Sequence, residues 1–110
     1  LDSFWYAWVS PEQERLREAF CRALSTLEQH CVERCDFDGA LGFARQRLQA
    51  DPLQEASHRA VMRYMAQLGD RAGVLRQYRQ LQALFREELG VEPSAATGQL
   101  VRELTNGALD

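Results

Sequence analysis

The sequence predicts an all-α fold that is built from antiparallel helix pairs, with about five helices in total. Apolar residues recur at spacings of three and four along most of the chain, which is the period of an amphipathic helix. No segment shows the period-two alternation of a strand between turn residues. The predicted loops are short, so consecutive helices are expected to pack as antiparallel neighbours.

The first helix is predicted to run from Pro11 to about Arg34. Ser10 is a favourable N-cap, and proline suits the first helical position because its missing N–H has no partner there anyway. The segment Asp36–Gly39 ends this helix. Its apolar stripe is expected to contain Leu16, Phe20, Ala23, Leu24, Leu27 and Cys31.

Four more helices are expected near residues 38–50, 53–68, 71–89 and 95–105. The residue before a proline avoids the α conformation, so Asp51 ends the second helix. Glycine is the usual residue after a helix, and Gly69 and Gly90 therefore end the third and fourth helices. Ser94 is the predicted cap of the fifth.

The chain also contains an internal repeat with a period of about 34 residues. At this shift the turn residues Cys35-Asp36 fall on Gly69-Asp70, and Leu27 falls on Val61. Two helices per repeat of this length are typical of the tetratricopeptide repeat, in which stacked helix pairs share a core. We therefore expect two degenerate repeats, with Glu28 and Met62 in place of the usual glycine, and the fifth helix as a cap. A plain helical bundle is the alternative.

Composition and charge narrow the classes of function. The net charge is −3, which argues against nucleic acid as a direct partner because such binding needs a basic surface. No apolar run is long enough for a membrane span. Residues 1–110 are expected to form one domain, a fragment of a longer protein. Its first ten residues are expected to form an aromatic strap, in which Phe4, Trp5 and Trp8 are candidate lid or interdomain contacts.

Catalytic and metal chemistry are not expected. The serines lie at predicted caps or on helices, and the sequence contains no glycine-rich phosphate loop and no nucleophile elbow. Cys31 and Cys35 share a helix face beside His30, but no second ligand pair follows at metal-site spacing, so ordinary reduced cysteines are the better interpretation. We predict a protein that is not an enzyme and has no cofactor.

Two blocks of sequence resemble a known family. They are DPLQEASHRAVM at residues 51–62 and REELGVEPS at residues 86–94. Together with the aromatic lead-in, they are similar to the bacterial transcriptional activator domain of streptomycete antibiotic regulatory proteins. This resemblance implies a tetratricopeptide-like fold and a cytoplasmic regulator whose DNA contacts come from an upstream winged-helix domain.

The function implied by this resemblance is a non-catalytic regulatory or protein-interaction domain. Its partners would be its own DNA-binding domain, other subunits or the transcription machinery, and a homodimer stays open. The first alternative is a free-standing peptide-binding scaffold that is not tied to transcription. The second is a direct DNA binder that uses a helix-turn-helix within the third and fourth helices.

Candidate partner-binding residues lie on the first helix of each pair, which lines the concave groove of tetratricopeptide domains. They are Arg22, Ser25, Gln29, Arg59 and Arg63. Arg59 and Arg63 are four residues apart, so they could together hold a carboxylate or an acidic peptide. The alternative is that these arginines are solvated or pair with Glu55 and Asp51.

Overall fold

The computed structural model describes residues 10–106. These residues form five helices, in chain order α1 (Pro11–Glu33), α2 (Phe37–Ala50), α3 (Glu55–Gln67), α4 (Arg71–Leu89) and α5 (Ala95–Leu104). No strand occurs among them. The predicted helices are thus confirmed, and the largest error in a boundary is at α3, which begins two residues late because residues 52–53 form a turn.

The helices pack in the order of the chain. α1 packs on α2, α2 on α3 and α3 on α4, while α5 packs on both α3 and α4. The connecting loops have only three to five residues, which is too short for the next helix to run in the same direction. The fold is therefore two antiparallel pairs, α1–α2 and α3–α4, with α5 as the terminal cap. No helix in the described part of the chain is long and apolar enough to cross a membrane.

The two turns inside the pairs repeat the same hydrogen bonds. The amide of Asp36 donates to the carbonyl of Cys31 over 2.8 Å, and the amide of Asp70 donates to that of Met65 over the same distance. The residue before each aspartate is left-handed, with φ 58° at Cys35 and 80° at Gly69. This agreement between turns one repeat apart supports tetratricopeptide-like pairs over a plain helical bundle.

Each aspartate then caps the helix that follows. The Asp36 carboxylate accepts from the amide of Gly39 over 3.0 Å, and the Asp70 carboxylate accepts from that of Gly73 over 2.8 Å. A Cβ atom at either glycine would collide with the capping carboxylate. Any other residue at the third position of these two helices would therefore require the capping carboxylate to shift.

The apolar core is drawn from α2 to α5. Its buried members are contributed by all four helices and are packed into one cluster: Leu41, Ala44, Ala60, Val61, Met62, Met65, Val74 and Val101. α1 adds Leu24 and Cys31, which are buried as expected. The other residues of the predicted apolar stripe of α1 are exposed: Leu16, Phe20, Ala23 and Leu27. The helix on which they would pack in a longer stack is not among the described helices.

Candidate functional site

A buried polar cluster joins the two helix pairs. Glu28 of α1 is only 5% exposed, although it carries a charge. Arg47 of α2 holds it with a two-pronged contact, Nε to Oε2 over 3.1 Å and Nη2 to Oε1 over 3.0 Å. The hydroxyl of Tyr64, on α3, donates to Oε1 over 2.7 Å. Since a buried carboxylate is stable only when its oxygens are satisfied, this cluster fixes three helices relative to one another.

The surroundings of Tyr64 favour its role as a hydrogen-bond donor to Glu28. Its ring stacks on Phe37, with 6.4 Å between the centroids. Burial and the hydrogen bond to the Glu28 carboxylate raise the pKa of the Tyr64 hydroxyl. The phenol therefore remains a hydrogen-bond donor and does not ionise at neutral pH.

An open cavity of about 340 Å³ lies next to this cluster. One wall is α1, with Arg17, Glu18, Cys21, Arg22 and Ser25; the other is formed by Arg47 and by the entry into α3, with Asp51, Gln54 and Ser57. Burial, assisted by the charge of Asp51, raises the pKa of Cys21, so this thiol stays protonated at neutral pH. The cavity is thus lined by positively and negatively charged side chains and by uncharged hydrogen-bonding groups.

The predicted groove residues separate into three places. Arg22 and Ser25 line this cavity. Ser25 also borders a second, shallower depression, where it meets Gln29. Arg59 lies elsewhere, against α5, and the exposed Arg63 lines neither depression. The structure therefore brings Arg22 and Ser25 together and does not place the Arg59–Arg63 pair beside them.

Arg59 belongs to a cluster that attaches α5. Glu55 accepts from the amide of Ser94 over 3.1 Å and from its hydroxyl over 2.5 Å, and it also accepts from the hydroxyl of Thr97. Arg59 donates to Glu55 over 3.2 Å and to Thr97 over 3.0 Å. Burial alone would raise the pKa of Glu55, but the hydrogen bonds from Ser94 and Thr97 outweigh it, and the pKa lies below its ordinary value.

His58 is a packed residue of α3. The residue is only 3% exposed. Its Nε2 lies 2.8 Å from the carbonyl oxygen of Pro52, and its Nδ1 lies 2.9 Å from the side-chain nitrogen Nε2 of Gln77. A neutral ring that donates from Nε2 and accepts at Nδ1 satisfies both contacts. Burial lowers the pKa of His58, which agrees with a neutral imidazole.

The sequence also singled out the cysteines and three aromatic residues near the start of the chain. Cys31 is buried and Cys35 exposed, both as free thiols. Within residues 10–106 no three side chains of His, Cys, Asp or Glu are grouped as a metal site. Phe4, Trp5 and Trp8 lie outside the described residues. The Glu28 cluster was missed, although an acidic residue at a usual glycine position of the repeat was a signal for it.

Comparison with known families decides the classification. Residues 2–105 match the sequence model of the family described as bacterial transcriptional activator domain. The chain belongs to that family. Comparison of this bacterial transcriptional activator domain with curated proteins and with solved structures gave no match. Its cavity and its buried clusters are therefore interpreted from their own geometry.

Proposed function

We propose that this domain is a non-catalytic regulatory module that binds a protein partner through the outer face of α1. The partner is the DNA-binding domain expected to precede it in a cytoplasmic regulator. The family assigns the chain to transcriptional activators. The particular docking face is inferred from the first helix pair.

One observation carries the proposal. Leu27 and Val61 occupy the same position in successive repeats, yet Leu27 is 46% exposed and Val61 is fully buried. In stacked repeats each pair covers the apolar face of its neighbour. Val61 has the preceding pair beside it, whereas Leu27 has no preceding pair among the described helices. The face of α1 thus has the composition of an internal surface.

Two more residues extend this face towards the start of α1. Leu16 is 70% exposed and Phe20 is 50% exposed. Spacings of four and seven place Leu16, Phe20 and Leu27 on one side of the helix. A domain encoded upstream would be joined to the end of α1 that carries Leu16 and Phe20. This proximity favours a partner in the same polypeptide.

The test begins with the gene sequence that precedes Leu1, in which a winged-helix pattern is expected. That upstream domain is then produced separately, and its binding to the present chain is measured by calorimetry. Replacing Leu16, Phe20 and Leu27 by Gln should weaken binding at least about tenfold, because three apolar anchors are lost. Circular dichroism should show that the variant remains folded.

A matched control replaces Leu89 and Val91 by Gln. These residues are also about half exposed, at 49% and 51%, but lie at the end of α4. This double variant should bind like the unmodified chain. Equal binding by the α1 variant, or an upstream sequence without a DNA-binding domain, would contradict the proposal.

A free-standing peptide-binding scaffold is the second candidate, and the polar cavity between α1 and α3 favours it. Additional repeats upstream of Leu1, in place of a winged helix, would support the scaffold. Direct DNA binding by this chain is not proposed, given its net charge of −3. A duplex shifted by this chain in a gel at low salt would overturn that view.

A further inference from the structure

The amino terminus of α3 differs from those of the other four described helices. Ser10, Asp36, Asp70 and Ser94 each accept a hydrogen bond from a backbone amide in the first turn of their helix. Gln54, at the start of α3, makes no such bond. The dipole of α3 and its first amides are therefore left without a side-chain acceptor from their own cap residue.

The first amides of a helix have no acceptor within the helix, so without a cap they depend on other groups. The nearby carbonyl of Pro52 lies 2.8 Å from the ring Nε2 of His58. Neither Glu55 nor Ala56 donates its amide to a described residue. The start of α3 borders the cavity through Gln54 and Ser57, which lie on either side of these two residues in the sequence.

A buried hydroxyl provides a second, independent indication of a ligand. Ser57 lines the cavity and is only 1% exposed, yet its Oγ has no hydrogen-bond partner among the described residues. A buried polar atom without a partner is costly, and native proteins rarely leave one in that state. A ligand with an acceptor atom would satisfy it.

The charged residues of the cavity define what that ligand can be. Arg22 is exposed and forms no ion pair with a described residue. The other two arginines of the cavity are paired, Arg47 with Glu28 and Arg17 with Glu14. Glu18 and Asp51 also line the cavity and oppose a highly charged anion. The Arg22 guanidinium, a hydroxyl and a helix amino terminus together fit a group with a single negative charge.

We propose that this cavity binds a carboxylate of a partner peptide. The carboxylate accepts from the Ser57 hydroxyl and from the first amides of α3, while Arg22 closes over it from α1. The site goes beyond the proposed function, because it would recognise a second protein partner. It is separate from the apolar face of α1.

Three short peptides test the site on the full chain. The first contains one internal Asp between glycines and has both ends blocked. The second contains only glycine, with a blocked amino end and a free carboxyl terminus. The third is the same glycine peptide with both ends blocked, and it has no charge. Binding is followed through the amide signals of Glu55, Ala56 and Ser57 in nitrogen–proton NMR spectra.

At least one of the two acidic peptides should shift these amides in a saturable manner, and the neutral peptide should not. The acidic peptide that binds identifies the source as a side chain or a chain terminus. Ser57→Ala should weaken binding about tenfold because a hydrogen bond to a charged group is lost. Arg22→Gln should weaken it about threefold. Arg63→Gln is the matched control and should bind normally.

The proposal is overturned if no peptide shifts the α3 amides at millimolar concentration, or if the neutral peptide shifts them equally. It is also overturned if the Ser57 and Arg22 variants bind like the unmodified chain. The calorimetric test of the α1 face uses other residues and another partner. A failure of this site is therefore distinguishable from a failure of the proposed function.

Discussion

Glu28 in the first helix pair and Met62 in the second occupy equivalent positions, one repeat apart, and both are buried. The equivalent residues on the second helix of each pair differ in the same way, one being charged and the other apolar. Arg47 of α2 corresponds to Leu81 of α4, which is fully buried. The same two repeat positions thus hold a buried ion pair in one repeat and two buried apolar residues in the next. The comparison shows that the repeat specifies burial at this position, while neighbouring residues decide how the burial is satisfied.

The largest effect should follow from breaking the ion pair on one side. Arg47→Leu leaves the Glu28 carboxylate buried without its cation, and we expect a loss of about 3 kcal/mol in the free energy of unfolding. Adding Glu28→Met recreates the residues of the second repeat and should recover most of this loss. Urea denaturation measures both variants, with the exposed Arg45→Leu as a control. A double variant as unstable as the single one would contradict the equivalence.

The contribution of Tyr64 should be smaller. Tyr64→Phe removes the hydroxyl that donates to Glu28 but keeps the ring stacked on Phe37. We expect a loss of about 1.5 kcal/mol, the lower range for a hydrogen bond to a charged group. In the Arg47→Leu, Glu28→Met background the same change should be nearly neutral, because the acceptor is gone. An equal loss of stability in that background would show that Tyr64→Phe acts through the packing of the ring and not through the hydrogen bond.

The two turns sharpen the comparison further. Gly69→Ala places a side chain at a φ of 80° and should cost about 1 kcal/mol. Cys35→Gly relieves the same conformation at a φ of 58° and should raise stability by about 0.5 kcal/mol. Thermal denaturation checks both, with Gly42→Ala as a helical control that has open space around it. Stability changes of the same sign at both turns would contradict their equivalence.

The smallest effect near neutral pH concerns His58, which corresponds to Leu24 in the first repeat. Burial keeps the pKa of His58 below its ordinary 6.5, so the unfolded chain binds the proton first as pH falls. Stability is therefore fully present well above pH 6.5 and decreases slightly as the pH falls through about 6.5. His58→Leu should remove this decrease, whereas His30→Leu, at an exposed site, should keep it. Urea denaturation of both variants and of the unmodified chain at several pH values measures this dependence.

Much of the fold was predictable from the sequence because its signals are local. Caps such as Ser10 and Ser94 and the left-handed Gly90 act within a few residues, and each lies where the pattern placed it. The period of the internal repeat then fixed the pairing of the helices. The burial of α1 was not predictable in this way. The periodicity of Leu16 and Phe20 indicates that one face of the helix is apolar, but it does not indicate whether another helix packs on that face.

The candidate site was harder to predict. Arg22 and Ser25 were found from their place on the first helix of a pair. Gln54 and Ser57 were not, since their importance depends on a missing helix cap and on a buried hydroxyl without a partner among the described residues. Arg59 was misleading for a similar reason. Its direction is set by Glu55 and by a helix that lies far along the chain, where Thr97 accepts from it.

The two ends of the stack also limit the symmetry of any assembly this chain forms with itself. α1 presents an apolar stripe, whereas the exposed side chains from the middle of α5 to its end are polar: Gln99, Arg102 and Glu103. A head-to-tail contact would place apolar side chains against charged ones and would be unfavourable. Contact between two α1 faces is self-complementary and closes after two copies. Self-association through α1 would therefore produce a two-fold dimer and not a growing filament.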